Sequence, residues 1–272
     1  MIFVLFLIVT VLVEAEYLLL APAVTVWSAL GVALQGYLAA QLLYVLILVL
    51  NWLFLPRLKP DEGIERQRPL CRWAVVSVCQ FLCGYAGIRL RTSGLEKLPD
   101  TPFLLVSNHR SMFDPLIVIG LLARYNVAFV SKPSNLKLSL IGQTARHAGI
   151  LGIDRENDRA ALKTILQAAD YLKRGVCNIG IYPEGTRNRS DEPLLPFHAG
   201  SFKSAQRAGV PVAVVCMQGT EKVHKTLFFY PTPVKLSVLE VIPAETVKSM
   251  KTVALAEHTR ELLEQKLREE KA

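Results

Sequence analysis

Between positions 17 and 55 the chain carries no Asp, Glu, Lys, Arg or His. That charge-free run is about twice the roughly 20 apolar residues a membrane-spanning helix needs. Residues 1–56 hold two charges in all, Glu14 and Glu16. Two arrangements fit. In one, residues 2–21 and 31–55 each form a membrane segment, and both glutamates lie inside the first. In the other, residues 2–13 form a short interfacial piece, and 17–55 makes a tight hairpin or one long tilted helix. The length of the run favours two membrane segments. A cleaved signal peptide is disfavoured: no Lys or Arg precedes the apolar run, which continues past Ala21-Pro22-Ala23.

The front accounts for a mean hydropathy of +0.33, high for a soluble protein of this length. All 31 Lys and Arg, and 21 of the 23 acids, lie beyond Pro56, so that part carries +10. Disorder, collagen and disulfide-framework classes are excluded by 51% hydrophobic residues, 16 Gly and 5 Cys. Arg57, Lys59, Arg66, Arg68 and Arg72 follow the apolar run, which predicts a cytoplasmic face for what comes after. Cys71, Cys79, Cys83, Cys177 and Cys216 lack framework spacing and read as small buried residues of a reducing compartment.

Residues 57–70 read as a basic connector and 71–87 as an interfacial or core helix with an aromatic near each end, Trp73 and Tyr85. Strand patterns then alternate with helical ones. Strands are expected at 88–92, 103–107, 127–131, 149–154, 177–182, 211–217 and 234–241. Helices are expected at 115–123, 136–147, 158–173 and 200–208, with one long helix at 245–270. The alternation predicts an α/β domain with a mostly parallel sheet flanked by helices, preceded by N-terminal transmembrane helices.

Ligands of open α/β sheets bind beyond the carboxyl ends of strands. One strand is followed by Asn108-His109-Arg110-Ser111-Met112-Phe113-Asp114, another by Pro183-Glu184-Gly185-Thr186-Arg187, a third by Lys132 and a fourth by Asp154-Arg155. His109 fits a general base whose second nitrogen a carboxylate fixes, and equally a hydrogen-bonded structural histidine. Asp114, followed by Pro115, also fits a helix N-cap, and Ser111 to Asp114 fits a capping box. Gly185 permits a tight turn. Arg187 offers a fork that matches phosphate, or a surface partner for Glu184. No Gly-x-Ser-x-Gly elbow, Walker loop or metal-ligand cluster is present. A His–Asp pair without a protein nucleophile suits activation of a substrate hydroxyl.

Four blocks in order, Asn108–Asp114, 149–155 (GILGIDR), 183–187 (PEGTR) and 210–212 (VPV), resemble the signature of the glycerolipid acyltransferase family. The likeness covers about residues 71–245. It implies an acyltransferase domain at 71–272 behind a membrane-spanning segment at 1–56. It implies transfer of a fatty acyl group from acyl-CoA or acyl carrier protein to the sn-2 hydroxyl of lysophosphatidate, on a multi-pass protein of the cell membrane in contact with membrane lipids. By this resemblance His109 is the base and Asp114 its orienter. Arg187, with Glu184, Gly185 and Thr186 of its block, Arg155 and Lys132, binds substrate, and amides around Gly185 are candidate oxyanion donors. It implies no metal, cofactor or nucleic-acid partner. Acyl transfer to another lysophospholipid, or lipid binding without catalysis, are the alternatives. Gly152 stands where the family usually has an aromatic, and His198 where a Lys is common.

Overall fold

Residues 26–54 of the charge-free run form one helix, α1 (Val26–Phe54), in the computed structural model, which describes residues 12, 16, 26–59, 62–137, 139–154, 157–226 and 230–269. The chain divides into two compact units, Met1–Pro56 and Arg57–Ala272. Within the first, Leu30–Phe54 is long and apolar enough to cross a membrane, with a mean hydropathy of 2.0. Leu34, Leu38, Leu42 and Leu43 are exposed, as expected of a helix apolar on every side. Of the other predicted membrane segment only Leu12 and Glu16 are described, both helical; the rest of it lies outside the described residues.

The second unit opens with α2 (Pro69–Tyr85), whose Pro69 sits at the first helical turn, where its missing N–H is no loss. Cys71, Ala74, Cys79 and Cys83 bury one face of α2. Val78, Phe81, Leu82 and Tyr85, at i, i+3, i+4 and i+7, form an exposed apolar stripe on another. The helix is therefore partly core and partly apolar surface.

Seven strands follow: β1 (Ile88–Ser93), β2 (Leu104–Ser107), β3 (Val127–Ser131), β4 (Leu151–Gly152), β5 (Asn178–Ile181), β6 (Val212–Gln218) and β7 (Thr232–Ile242). They form one sheet in the order β1-β7-β6-β2-β5-β3-β4. All neighbours are parallel except β6 and β7. β2 is buried along its whole length, the pattern of a strand covered on both faces. Leu104 and Val106 enter one apolar cluster and Leu105 the other, as alternation across a strand requires.

One face of the sheet is covered by α2 and α3 (Phe113–Leu121). The other is covered by α5 (Asp158–Arg174), α6 (Lys203–Ala208), α8 (Ala244–Ser249) and α9 (Thr252–Glu269). Two short helices, α4 (Ser139–His147) and α7 (Val223–Thr226), complete the unit. The side chain of Asn157 caps α5 by accepting from the Ala160 amide at 3.0 Å, and Gly175 ends it at φ +66°.

The single long helix expected at 245–270 is two helices. Met250 is extended between α8 and α9. The Gln206 side chain donates to the carbonyls of Val247 and Met250 at 3.0 and 2.6 Å, so the broken turn keeps its hydrogen bonds. The five cysteines are free and buried.

Candidate active site

The connection from β2 runs to β3 on one side and that from β5 runs to β6 on the other, so connections diverge between the carboxyl ends of the neighbours β2 and β5. This is where an open α/β sheet makes its crevice. Asn108, the first residue past β2, is buried and pins the crevice from below. Its amide nitrogen donates to the Met217 carbonyl at 2.7 Å, and its amide oxygen accepts from the Met217 N–H at 2.8 Å. One side chain thereby repeats the donor–acceptor pairing of a strand and ties the end of β2 to β6. The sequence pointed to Asn108 only as part of a motif; its structural work is visible once β6 lies beside it.

His109 comes next, its side chain 16% exposed, with Nδ1 2.8 Å from Oδ2 of the fully buried Asp114. A carboxylate offers acceptors alone, so Nδ1 carries the proton and Nε2 is left as the basic nitrogen. Oδ2 also accepts from the amides of Arg110 and Ser111, both at 2.8 Å. Asp114 is not the N-cap itself; the Ser111 amide donates to its Oδ2 while Ser111 Oγ accepts from the Phe113 amide at 3.3 Å, the reciprocal pattern of the expected capping box. α3 begins at Phe113 behind Met112, and Asp114 reaches back to the preceding loop instead of forward into the helix. Its other oxygen, Oδ1, is buried with no hydrogen-bond partner among the described residues.

The 183–188 loop is stitched to this histidine from both sides. The His109 amide donates to Glu184 Oε1 at 2.7 Å, and the Asn188 amide donates to the His109 carbonyl at 2.7 Å. Glu184 Oε2 accepts from the Leu195 amide at 2.9 Å. Glu184 is buried, which pushes its carboxyl above the usual range against the opposing pull of those two amides. The surface pair Glu184–Arg187 that the sequence allowed is absent: Glu184 faces backbone, and Arg187 is exposed with its guanidinium unpaired among the described residues. Asn188 is buried, its side chain holding Ser190 and the Glu192 carbonyl.

Gly185 adopts φ +73°, a conformation that favours glycine. Its amide donates to the Tyr182 carbonyl at 3.0 Å, so it is already spent and offers nothing to an oxyanion. Thr186 and Arg187 are exposed residues of the same turn, and their amides have no acceptor in the chain among the described residues. Lys132 is exposed at the end of β3. Arg155 lies outside the described residues. Tyr182, not singled out by the sequence, stacks its ring on the His109 imidazole at 4.1 Å between centroids and 10° between planes.

A cavity of about 460 Å³ is lined on one side by Val130, Ile153, Leu162, Ile165 and Ile181, and also by Tyr182, Gly185 and the polar residues Asp158, His198, Ser201 and Lys203. Its size suits an organic ligand.

The family model described as Acyltransferase matches residues 89–218, which span both loops. The 1-acyl-sn-glycerol-3-phosphate acyltransferase of Escherichia coli (strain K12) is 31% identical over 166 residues, covering 61% of this chain and 67% of its own length. The chain belongs to the acyltransferase family. A chloroplastic relative from Brassica napus, a 1-acyl-sn-glycerol-3-phosphate acyltransferase by name, is 32% identical over 57% of this chain. The chain spans only 42% of that relative's length. Among solved structures, the 1-acyl-sn-glycerophosphate (LPA) acyltransferase of Thermotoga maritima superposes with a TM-score of 0.60 at 23% identity, over 85% of this chain and 96% of that one. This likeness shows that the two chains share a fold.

Proposed function

We propose that this acyltransferase moves a fatty acyl group from a thioester donor, acyl-CoA or acyl carrier protein, to the sn-2 hydroxyl of 1-acyl-glycerol-3-phosphate, giving phosphatidate. The observation that carries the reading is the His109–Asp114 contact, which leaves Nε2 free at the crevice. Nε2 takes the hydroxyl proton as the oxygen attacks the thioester carbonyl carbon. The C–S bond of the tetrahedral intermediate then breaks, and the thiolate leaves with the proton from Nε2. Direct transfer is favoured over a cysteinyl intermediate because all five cysteines are buried away from the surface, and burial pushes the thiols of Cys79, Cys83 and Cys177 up to about 12. Thr186 and Arg187 are the oxyanion amides in this scheme.

Arg187, with Lys132 and Arg155, holds the acceptor phosphate; the apolar side of the cavity, formed by Val130, Ile153, Leu162, Ile165 and Ile181, seats an acyl chain. Glu184 acts through the backbone, fixing His109, rather than on the substrate. The shared wording of the relatives' names supports the choice of acceptor. α1 crosses the cell membrane as part of a multi-pass anchor, the exposed stripe of α2 rests in the interface, and the +10 domain faces the cytoplasm.

The test is purified full chain in micelles with lysophosphatidate, acyl-CoA and acyl carrier protein donors in parallel, and a panel of other lysophospholipids. Lipid mass analysis should show phosphatidate as the main product with at least one donor. Faster acylation of another lysophospholipid would reassign the acceptor. Acceptor binding with no acyl product from either donor would make the chain a lipid-binding protein.

A further inference from the structure

The geometry points to Tyr182 as a positioning residue, whose ring fixes the plane of the His109 imidazole and lies against it as it takes up positive charge. The inference rests on the proposed role of His109 as base. The imidazole is held at its edge by Asp114, a contact about which the ring is free to swing. Tyr182 removes that freedom, with ring planes 10° apart and centroids 4.1 Å apart. Tyr182 is itself held: it is buried, and it stacks on Phe129 at 5.0 Å with planes 14° apart.

Phe129 lies across β5 because position 180 is glycine; a Cβ there would meet the Phe129 ring at 2.5 Å. Gly180, Phe129 and Tyr182 thus form a rigid backing that passes from the sheet to the base. Two consequences follow for turnover. A base held in one plane keeps Nε2 aimed at one point, and misplacement by an ångström is enough to lower a rate about 100-fold. A cation over an aromatic face is also attracted by the ring's quadrupole, so the stack favours the imidazolium formed as the proton transfers.

The hydroxyl is not what acts. It is buried with no hydrogen-bond partner among the described residues, so its loss removes no bond and spares an unsatisfied group. Ring and hydroxyl are therefore separable by substitution.

The experiment compares wild type, Tyr182→Phe, Tyr182→Leu and His109→Ala, each full-length in micelles, well below its unfolding temperature. Tyr182→Phe should keep kcat within about threefold. Tyr182→Leu should lower kcat roughly 10- to 100-fold, well beyond any change in KM that comes from its place in the cavity lining. In NMR spectra the His109 Cε1–H should be displaced upfield by the stacked ring in wild type and Tyr182→Phe, and return downfield in Tyr182→Leu. The inference is overturned if Tyr182→Leu keeps kcat within threefold, or if Tyr182→Phe falls as far as Tyr182→Leu. A loss confined to KM would overturn it too. Substantial turnover in His109→Ala is a separate outcome: it refutes the base assignment itself, whatever Tyr182→Leu does.

Discussion

Arg187 and Glu184 stand three residues apart and have opposite environments, which sets what each substitution should do. Arg187 is exposed and unpaired among the described residues, so its removal should leave the fold intact. Arg187→Ala should raise KM for lysophosphatidate by tenfold or more and spare acceptors without a phosphate monoester, because a charge-assisted bidentate contact exists only with that group. Arg187→Lys should rescue poorly, since a point charge lacks the fork. Steady-state kinetics on paired acceptors checks this; equal losses on all acceptors in a destabilised protein would make Arg187 part of the scaffold. Glu184 is the reverse case. Its folded carboxyl is raised above the usual 4.5 by burial, so its contribution to stability is fully present below that value and lost as pH rises through the raised one. The difference in Tm between wild type and Glu184→Gln should therefore shift in the variant's favour between pH 4 and pH 7. A shift the other way would mean that the two amides outweigh burial. The sequence made Glu184 look like half of a surface ion pair because its partners are backbone amides, which leave no trace in residue types.

At the scale of elements, β5 carries the most dependent position. Gly180 has no room for a methyl group beneath Phe129, so Gly180→Ala should destabilise the domain by about 1–3 kcal/mol. It should also reduce kcat by disturbing the Phe129–Tyr182 stack. Denaturant unfolding in micelles reads the first effect; a fully stable variant would show that the Phe129 ring moves aside freely. Strands such as β2 and β3 were legible because burial on both faces writes a continuous apolar run. α5 was legible from its spacing. The division between α8 and α9 was not: no Gly or Pro marks Met250, and the hydrogen bonds that permit the break come from Gln206, more than forty residues away. The antiparallel pairing of β6 and β7 was equally hidden, since alternation sets strand faces and leaves strand direction open. Within the site, His109 and Asp114 were readable from spacing, whereas Asn108 and Tyr182 depend on neighbours from β6 and β3.

The whole molecule joins an apolar helix to a basic catalytic unit, and its acceptor is a membrane lipid on the reading proposed above. On the topology proposed above, the five basic residues between Arg57 and Arg72, with none before them in residues 1–56, place that unit on the cytoplasmic side. The native cysteines are free and buried, and a single cysteine introduced at Glu62 should therefore react above a low background. It should be labelled by a membrane-impermeant thiol reagent only after cells are opened; labelling of intact cells would reverse the topology. The central claim is that this chain is an acyltransferase whose chemistry runs through His109. Its most direct test is turnover of lysophosphatidate by wild type and His109→Ala, full-length in micelles, beside binding of the same acceptor. Phosphatidate formation should fall by about 10²–10⁴-fold with acceptor binding retained. A variant that keeps more than about a tenth of the wild-type rate would contradict the account.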